Sequence, residues 1–161
     1  MSTRGPSVRV QDTPFDPGAE LNAFLARNPN SGGVASFVGQ MRDFKGADRT
    51  SGEKIAAMTL EHYPGMAEKQ FEELIADARS RWTLDDALII HRYGTLHPGA
   101  PIVLVVTASA HRADALAACE FLIDWLKTKA PFWKKEMSGG DATWVESQGS
   151  DDARAERWRQ T

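Results

Sequence analysis

Leu126-Lys127-Thr128-Lys129-Ala130-Pro131-Phe132-Trp133-Lys134-Lys135-Glu136 is the stretch from which this chain is best read. Four lysines flank a Pro-Phe-Trp wedge in a chain whose formal net charge is −3. The residues before it are apolar at helical spacing. Pro131 ends that helix, because proline has no N–H to donate and clashes with the preceding turn. The lysines therefore cluster at a helix end beside two aromatic rings. Cations in a last helical turn also complement the helix dipole, which is an ordinary structural role. A site needs more than this segment.

Working back along the helix, a second basic pair supplies more. Ser109-Ala110-His111-Arg112 reads as the helix start, with Ser109 as the N-cap candidate. Arg112, and His111 when charged, oppose the dipole there, at a cost of roughly 0.3–1 kcal/mol per charge. Helix N-termini that follow strands present free N–H groups to anions. Both ends of one helix thus point to an anionic ligand.

Upstream, residues 101–108 are rich in β-branched side chains and almost continuously apolar, the pattern of a central strand covered on both faces. Residues 87–92 form another strand candidate, separated from it by Gly94 and His97-Pro98-Gly99. Phe71, Leu74, Ile75, Ala78 and Trp82 keep helical spacing after Pro64-Gly65. Strands are expected at residues 7–11, 34–38, 55–62 and 143–146. Asp16-Pro17 reads as an N-cap with proline at the first helical position, opening a helix with Leu21, Phe24 and Leu25 on its stripe. The long helix over residues 110–129 carries Ala115, Cys119, Leu122 and Leu126. The order β-α-β-β-α-β-β-α-β predicts a single α+β domain over residues 1–161. Residues 40–54 are polar and glycine-rich and are expected to form a mobile loop. Residues 147–161 read as a polar tail, Trp158 excepted.

Composition excludes several classes. The 161 residues are 42% hydrophobic, enough for a core. The negative charge argues against a surface built for nucleic acid. No apolar run approaches the ~20 residues of a membrane span, and the first residues lack a signal core. The lone Cys119 excludes an intrachain disulfide and, on the helix's apolar stripe, reads as a packed thiol rather than a carrier of sulfur. A cytoplasmic protein is expected. His62, His91, His97 and His111 are scattered without metal-ligand spacing, and no phosphate loop or dinucleotide fingerprint is present. No metal and no cofactor are expected. Phe37-Val38-Gly39-Gln40-Met41-Arg42 carries a strand into the loop. Arg42 at its end could grip a phosphate or carboxylate with its planar guanidinium.

Taken together, several segments in order resemble the catalytic, large-subunit family of molybdopterin synthase. They are Phe37 to Arg42, Leu60-Glu61-His62-Tyr63-Pro64-Gly65-Met66, His91-Arg92-Tyr93-Gly94, Ser109 to Arg112, Leu126 to Glu136 and Trp144-Val145-Glu146. The resemblance implies an α/β-hammerhead-like domain with a mixed or antiparallel sheet and packed helices. It implies a central homodimer, each chain binding one small ubiquitin-like sulfur carrier, in a heterotetramer. The carrier's C-terminal Gly-Gly thiocarboxylate would supply sulfur to cyclic pyranopterin monophosphate, forming the dithiolene of molybdopterin. By matching position Lys127 and Lys134 would be catalytic. Arg42, His111 and Arg112 would bind substrate or the incoming tail, Phe37 would line the pocket, and Glu136 would orient nearby cations. Where the family pattern carries an arginine this chain has Gln148, with Arg154 or Arg157 as candidates to replace it.

The charge pattern suits that chemistry. A thiocarboxylate and a phosphate are both anions, and fixed cations reduce their repulsion and stabilise oxyanions formed in acyl transfer. Crowded cations also disfavour protonation of one lysine, which could then shuttle protons. Lys127 is expected in that role and Lys134 in positioning. Two other readings compete: a non-catalytic scaffold for the carrier, and a single-stranded nucleic-acid module in which Phe132 and Trp133 stack on bases. The presence of both lysines opposes the first, and the acidic balance opposes the second.

Overall fold

The structure is a computed structural model that describes residues 7–43, 54–138, 141–145 and 149–160. In chain order the elements are β1 (Val8–Gln11), α1 (Pro17–Arg27), β2 (Gly33–Gln40), β3 (Ala57–His62), α2 (Met66–Arg81), β4 (Asp86–Arg92), β5 (Gly94–Leu96), β6 (Pro101–Ser109), α3 (Arg112–Lys129), β7 (Phe132–Ser138), β8 (Asp141–Val145) and α4 (Gly149–Glu156), closed by a 3-10 turn (Arg157–Gln160).

β6 is the centre of the first sheet, whose order is β1-β4-β6-β2. β-Branched side chains suit a pleated surface that is packed on both sides, and every residue from Val103 to Ser109 is buried. β6 pairs antiparallel with β2 and β4, and β1 joins β4 in parallel. Alternation then sorts the side chains by face. Val103, Val105, Ala87 and Ile89 pack with Phe71, Leu74 and Ile75 of α2 and with Ala115, Cys119, Leu122 and Leu126 of α3. Leu104, Val106, Leu88 and Ile90 pack on Phe24 of α1. Truncating a ring buried as fully as Phe24 or Phe121 costs about 3–5 kcal/mol. Asp16 caps α1 by accepting from the Ala19 N–H at 3.2 Å. Leu25, expected on the stripe, is exposed, because α1 rests on the sheet by the narrower line of Leu21 and Phe24.

The second sheet is antiparallel, in the order β5-β3-β7-β8. It closes over Met41, Ile55, Met58, Leu60 and Leu96. Together with the helices the two sheets make an α+β fold, as the element order predicts. β5 and β7 were not among the expected strands, and β7 is made of the Phe-Trp-Lys-Lys-Glu run itself. The expected N-cap also moves. β6 stays paired to Ser109, opposite Gly33, and the Ser109 hydroxyl donates to the Thr83 carbonyl at 2.7 Å. His111 takes the cap position of α3 without a side-chain cap bond. Most of the loop expected at residues 40–54 lies outside the described residues. The segment read as a polar tail carries α4, which packs along α3.

Gly32 and Gly33 let β2 pass close under the start of α3. A Cβ on Gly32 would stand 2.0 Å from the Ala110 carbonyl oxygen, and one on Gly33 would stand 3.0 Å from the Arg112 Cα. The turn cluster before β2 therefore sets the distance between that strand and the helix above it.

Candidate active site

Burial of Trp125 and Leu126 fixes the rotation of α3, and that rotation leaves the next residue, Lys127, exposed. The helix stops at Ala130, whose N–H still reaches the Leu126 carbonyl at 3.2 Å. Pro131 prevents a further turn, and β7 starts immediately at Phe132. The Phe132 ring lies flat on the His91 imidazole, with centroids 4.2 Å apart and planes 13° apart. Phe71 stacks on His91 as well, at 5.8 Å and 29°.

A cavity of about 50 Å³ opens beside this stack. Phe37, Gly39 and Gln40 of β2 form one wall. Ile102, Val103 and Val105 of β6 form another, with His91 of β4 between strands and Ile123, Leu126 and Lys127 of α3 above. The lining is mostly apolar, with one ammonium and one imidazole. Gly39 belongs here by size: a Cβ would come 2.7 Å from Val103 Cγ1.

His91 is 8% exposed. Its Nδ1 lies 2.8 Å from the Arg92 carbonyl oxygen, which can only accept, so Nδ1 carries the hydrogen and Nε2 the lone pair. Burial above all, against the opposing bond to the Arg92 carbonyl and helped by the charges of Lys127 and His62, pulls the imidazole pKa down to about 4. His91 is therefore neutral at pH 7. The sequence reading did not place His91 in the site; the only signal was a histidine set into an apolar strand run.

On β7, Lys134 and Glu136 alternate onto the face that carries Phe132. Lys134 Nζ is 3.1 Å from Glu136 Oε1, with the carboxylate buried and the lysine side chain 40% exposed. The carboxylate is the buried member of the ion pair and the lysine its half-exposed partner. Arg42 follows the cavity wall by two residues and is exposed. Its neighbour Met41 is pinned by backbone bonds of 2.9 Å with Ala100 and Gly99. Phe37 and Lys127 thus line one cavity, Arg42 follows its β2 wall by two residues, and Lys134 and Glu136 pair with each other on β7.

His111 and Arg112 do not join them within the chain. α3 runs unbroken from Arg112 to Lys129, so Arg112 and Lys127 stand about 22 Å apart along its axis at 1.5 Å per residue. The pair sits exposed over the start of β2, whereas Lys127 sits over its end. Arg154 and Arg157 have other partners. Both reach Asp124 of α3, at 3.3 and 3.0 Å, and Glu120, at 3.2 and 2.6 Å.

Cys119 is buried, and burial pushes its thiol up to about 11, so it stays protonated and a poor nucleophile. Among the described residues no group of three or more His, Cys, Asp or Glu stands together to hold a metal ion. None of the described helices is long and apolar enough to cross a membrane.

Fold and site define a small α+β protein with a mostly apolar cavity between sheet and helix that carries one lysine and one buried histidine. Residues 10–129 match the family model described as MoaE protein. The chain belongs to the MoaE family. It is 50% identical over 154 residues to the molybdopterin synthase catalytic subunit of Pseudomonas aeruginosa, covering 96% of this chain and 99% of that protein. It superposes on the molybdopterin biosynthesis MoaE protein of Burkholderia ambifaria with TM-score 0.79 and 46% identity, over 96% and 99% of the two chains. A Helicobacter pylori complex of subunits 1 and 2 of molybdopterin-converting factor shares the fold, with TM-score 0.71 and 20% identity over 87% and 90% of the chains.

Proposed function

We propose that this chain is the catalytic subunit of a molybdopterin synthase, a sulfurtransferase of molybdenum cofactor biosynthesis. It takes sulfur from the C-terminal Gly-Gly thiocarboxylate of a small ubiquitin-like carrier and installs it on cyclic pyranopterin monophosphate as the dithiolene. The observation that supports the reading is that Lys127 and His91 line one cavity, while the Lys134–Glu136 ion pair follows, along β7, the Phe132 ring that stacks on His91. A slim peptide terminus fits the apolar cavity, and its anionic end would meet the Lys127 ammonium. Lys134, oriented by Glu136, faces the substrate anion, and Phe37 lines the path.

Charge stabilisation is strongest where water is excluded and the donors are already in place. The apolar lining and the buried Glu136 provide both conditions. Arg42 grips an anion at the rim. His111 and Arg112 act from a second copy of the chain, because the length of α3 keeps them from their own Lys127. Homodimerisation then completes each site, and one carrier docks on each chain as a two-plus-two heterotetramer. That the Helicobacter pylori protein of the same fold is in a complex of subunits 1 and 2 supports a second, different subunit as partner. A cytoplasmic setting suits a buried free thiol.

The test is an anaerobic reaction of the purified chain with thiocarboxylated carrier and cyclic pyranopterin monophosphate, followed by pterin analysis. Molybdopterin should form in proportion to carrier consumed. Formation of none, by a folded protein that binds the carrier, would leave the scaffold reading.

A further inference from the structure

We propose that His91 is a positioning residue for Lys127: its Nε2 accepts a hydrogen bond from the Lys127 ammonium across the cavity and fixes where that group points. This rests on the reading that Lys127 carries chemistry.

Four observations carry it. His91 and Lys127 line the same small cavity, one from the sheet and one from the helix. The ring cannot turn, because Phe132 and Phe71 stack on its faces and Nδ1 is tied to the Arg92 carbonyl. That bond settles the tautomer, so the polar atom left to the cavity is an acceptor. Finally, the charge of Lys127 is felt at the imidazole, along with that of His62 from β3.

A neutral acceptor favours the ammonium over the amine and gives one of its N–H groups a fixed direction. A phenylalanine would fill the stack equally well but could accept nothing. A residue serving only as packing would therefore tolerate that change, and a positioning residue would not.

The experiment compares wild type with His91→Phe, His91→Leu and His91→Gln, each checked for folding by circular dichroism. The Lys127 amine is acylated with trace acetic anhydride across a pH series, and labelling at that residue is read by mass spectrometry. In His91→Phe and His91→Leu, labelling at a pH below the amine's midpoint should rise about tenfold, the equivalent of one unit. His91→Gln, which keeps an acceptor oxygen, should stay within about twofold of wild type. With carrier and substrate, kcat should fall about tenfold in His91→Phe, while KM for the carrier stays within about twofold, since an interaction that acts in the chemical step does not alter docking. Unchanged Lys127 labelling in whichever apolar variant folds would overturn the proposal, as would a His91→Gln variant that behaves like His91→Phe. Labelling needs no substrate, so a wild-type protein without turnover would count against the functional reading and leave this result standing.

Discussion

At the scale of single residues, the lysines divide by what each one touches. Lys129 lies over the Trp125 ring at 4.5 Å, a packing contact worth about 0.5–1 kcal/mol at an exposed site. Lys127 faces the cavity and Lys134 faces Glu136. Lys127→Ala should reduce molybdopterin formation to near background with an unchanged melting temperature. Lys134→Ala should be severely impaired, and Lys129→Ala should keep most of its turnover. Near-normal turnover by Lys127→Ala would sink the assignment. His91 gives a second, independent prediction. Its folded pKa of about 4 lies below the ordinary 6.5. As pH falls below 6.5 the unfolded chain takes up a proton that the folded chain refuses, so stability drops toward pH 4 and levels off below it. The loss is on the order of 3 kcal/mol for one group at 1.36 kcal/mol per pH unit. Asp86 acts in a lower window. Burial alone would raise its carboxyl, but hydrogen bonds from Asn28 and Arg27 outweigh that and hold it below 3.8. Its contribution is present above pH 3.8 and goes as pH falls further. Urea titrations at pH 7, 5.5 and 4.5 should therefore show a decline that His91→Phe flattens. An equal decline in that variant would assign it to other groups.

At the scale of elements, two carboxylates of α3, Glu120 and Asp124, clasp the C-terminal segment, and Asp124 is the buried one. Asp124 of α3 is buried, and it accepts from the Trp158 Nε1–H at 2.8 Å, Arg157 at 3.0 Å and Arg154 at 3.3 Å. Trp158 then packs edge-on to Trp82 and Phe121. Asp124→Ala leaves the indole N–H without its acceptor. The cost is roughly 1–3 kcal/mol, kept low because both arginines are half in water. Limited proteolysis should then cut within α4, and a tail that stays protected would refute the clasp. This element also marks where the sequence stops being legible. Residues 149–156 include only alanines as apolar side chains, so no stripe announces a helix, and its anchor Asp124 lies in an apolar run of another helix. β7 is hidden for a similar reason. Its inward positions are Phe132, Lys134 and Glu136, and two charged residues on the inner face erase the two-residue alternation that identifies a strand. β6 and α3 are readable because their inward positions are apolar throughout. In the site, Lys127, Lys134 and Arg42 stand out as charges in an acidic chain. His91 does not, because its role comes from the rings stacked on it, which are 20 and 41 residues away in sequence.

At the scale of the whole molecule, the geometry of α3 makes a demand that one copy cannot meet. Arg112 and Lys127 sit at opposite ends of the same rigid rod. If each anion site takes Lys127 from one copy and His111-Arg112 from the other, two inactive variants should rescue each other. Lys127→Ala and Arg112→Ala homodimers should each be nearly inactive. After mixed refolding, half the dimers are heterodimers with one intact site apiece, which gives about a quarter of wild-type activity by the symmetry of a twofold pair. Mixed samples no better than their parents would show that the two ends serve separate functions. Light scattering should find a dimer for the chain alone and a two-plus-two assembly with carrier. A carrier lacking its terminal Gly-Gly should still bind but support no turnover.

The joint between α3 and β7 has a consequence for how this chain can vary in length. Only Ala130 and Pro131 separate the helical turn that bears Lys127 from the strand that bears Lys134. Beyond that joint, each step along β7 reverses the side toward which a residue projects. One extra residue inserted there, with the strand pairing kept, would turn Lys134 and Glu136 outward and bring Lys135 to the inner side. Two extra residues would restore the sides but move both groups about 7 Å along the sheet. If both lysines serve the site, the spacing between them is thus fixed by the joint.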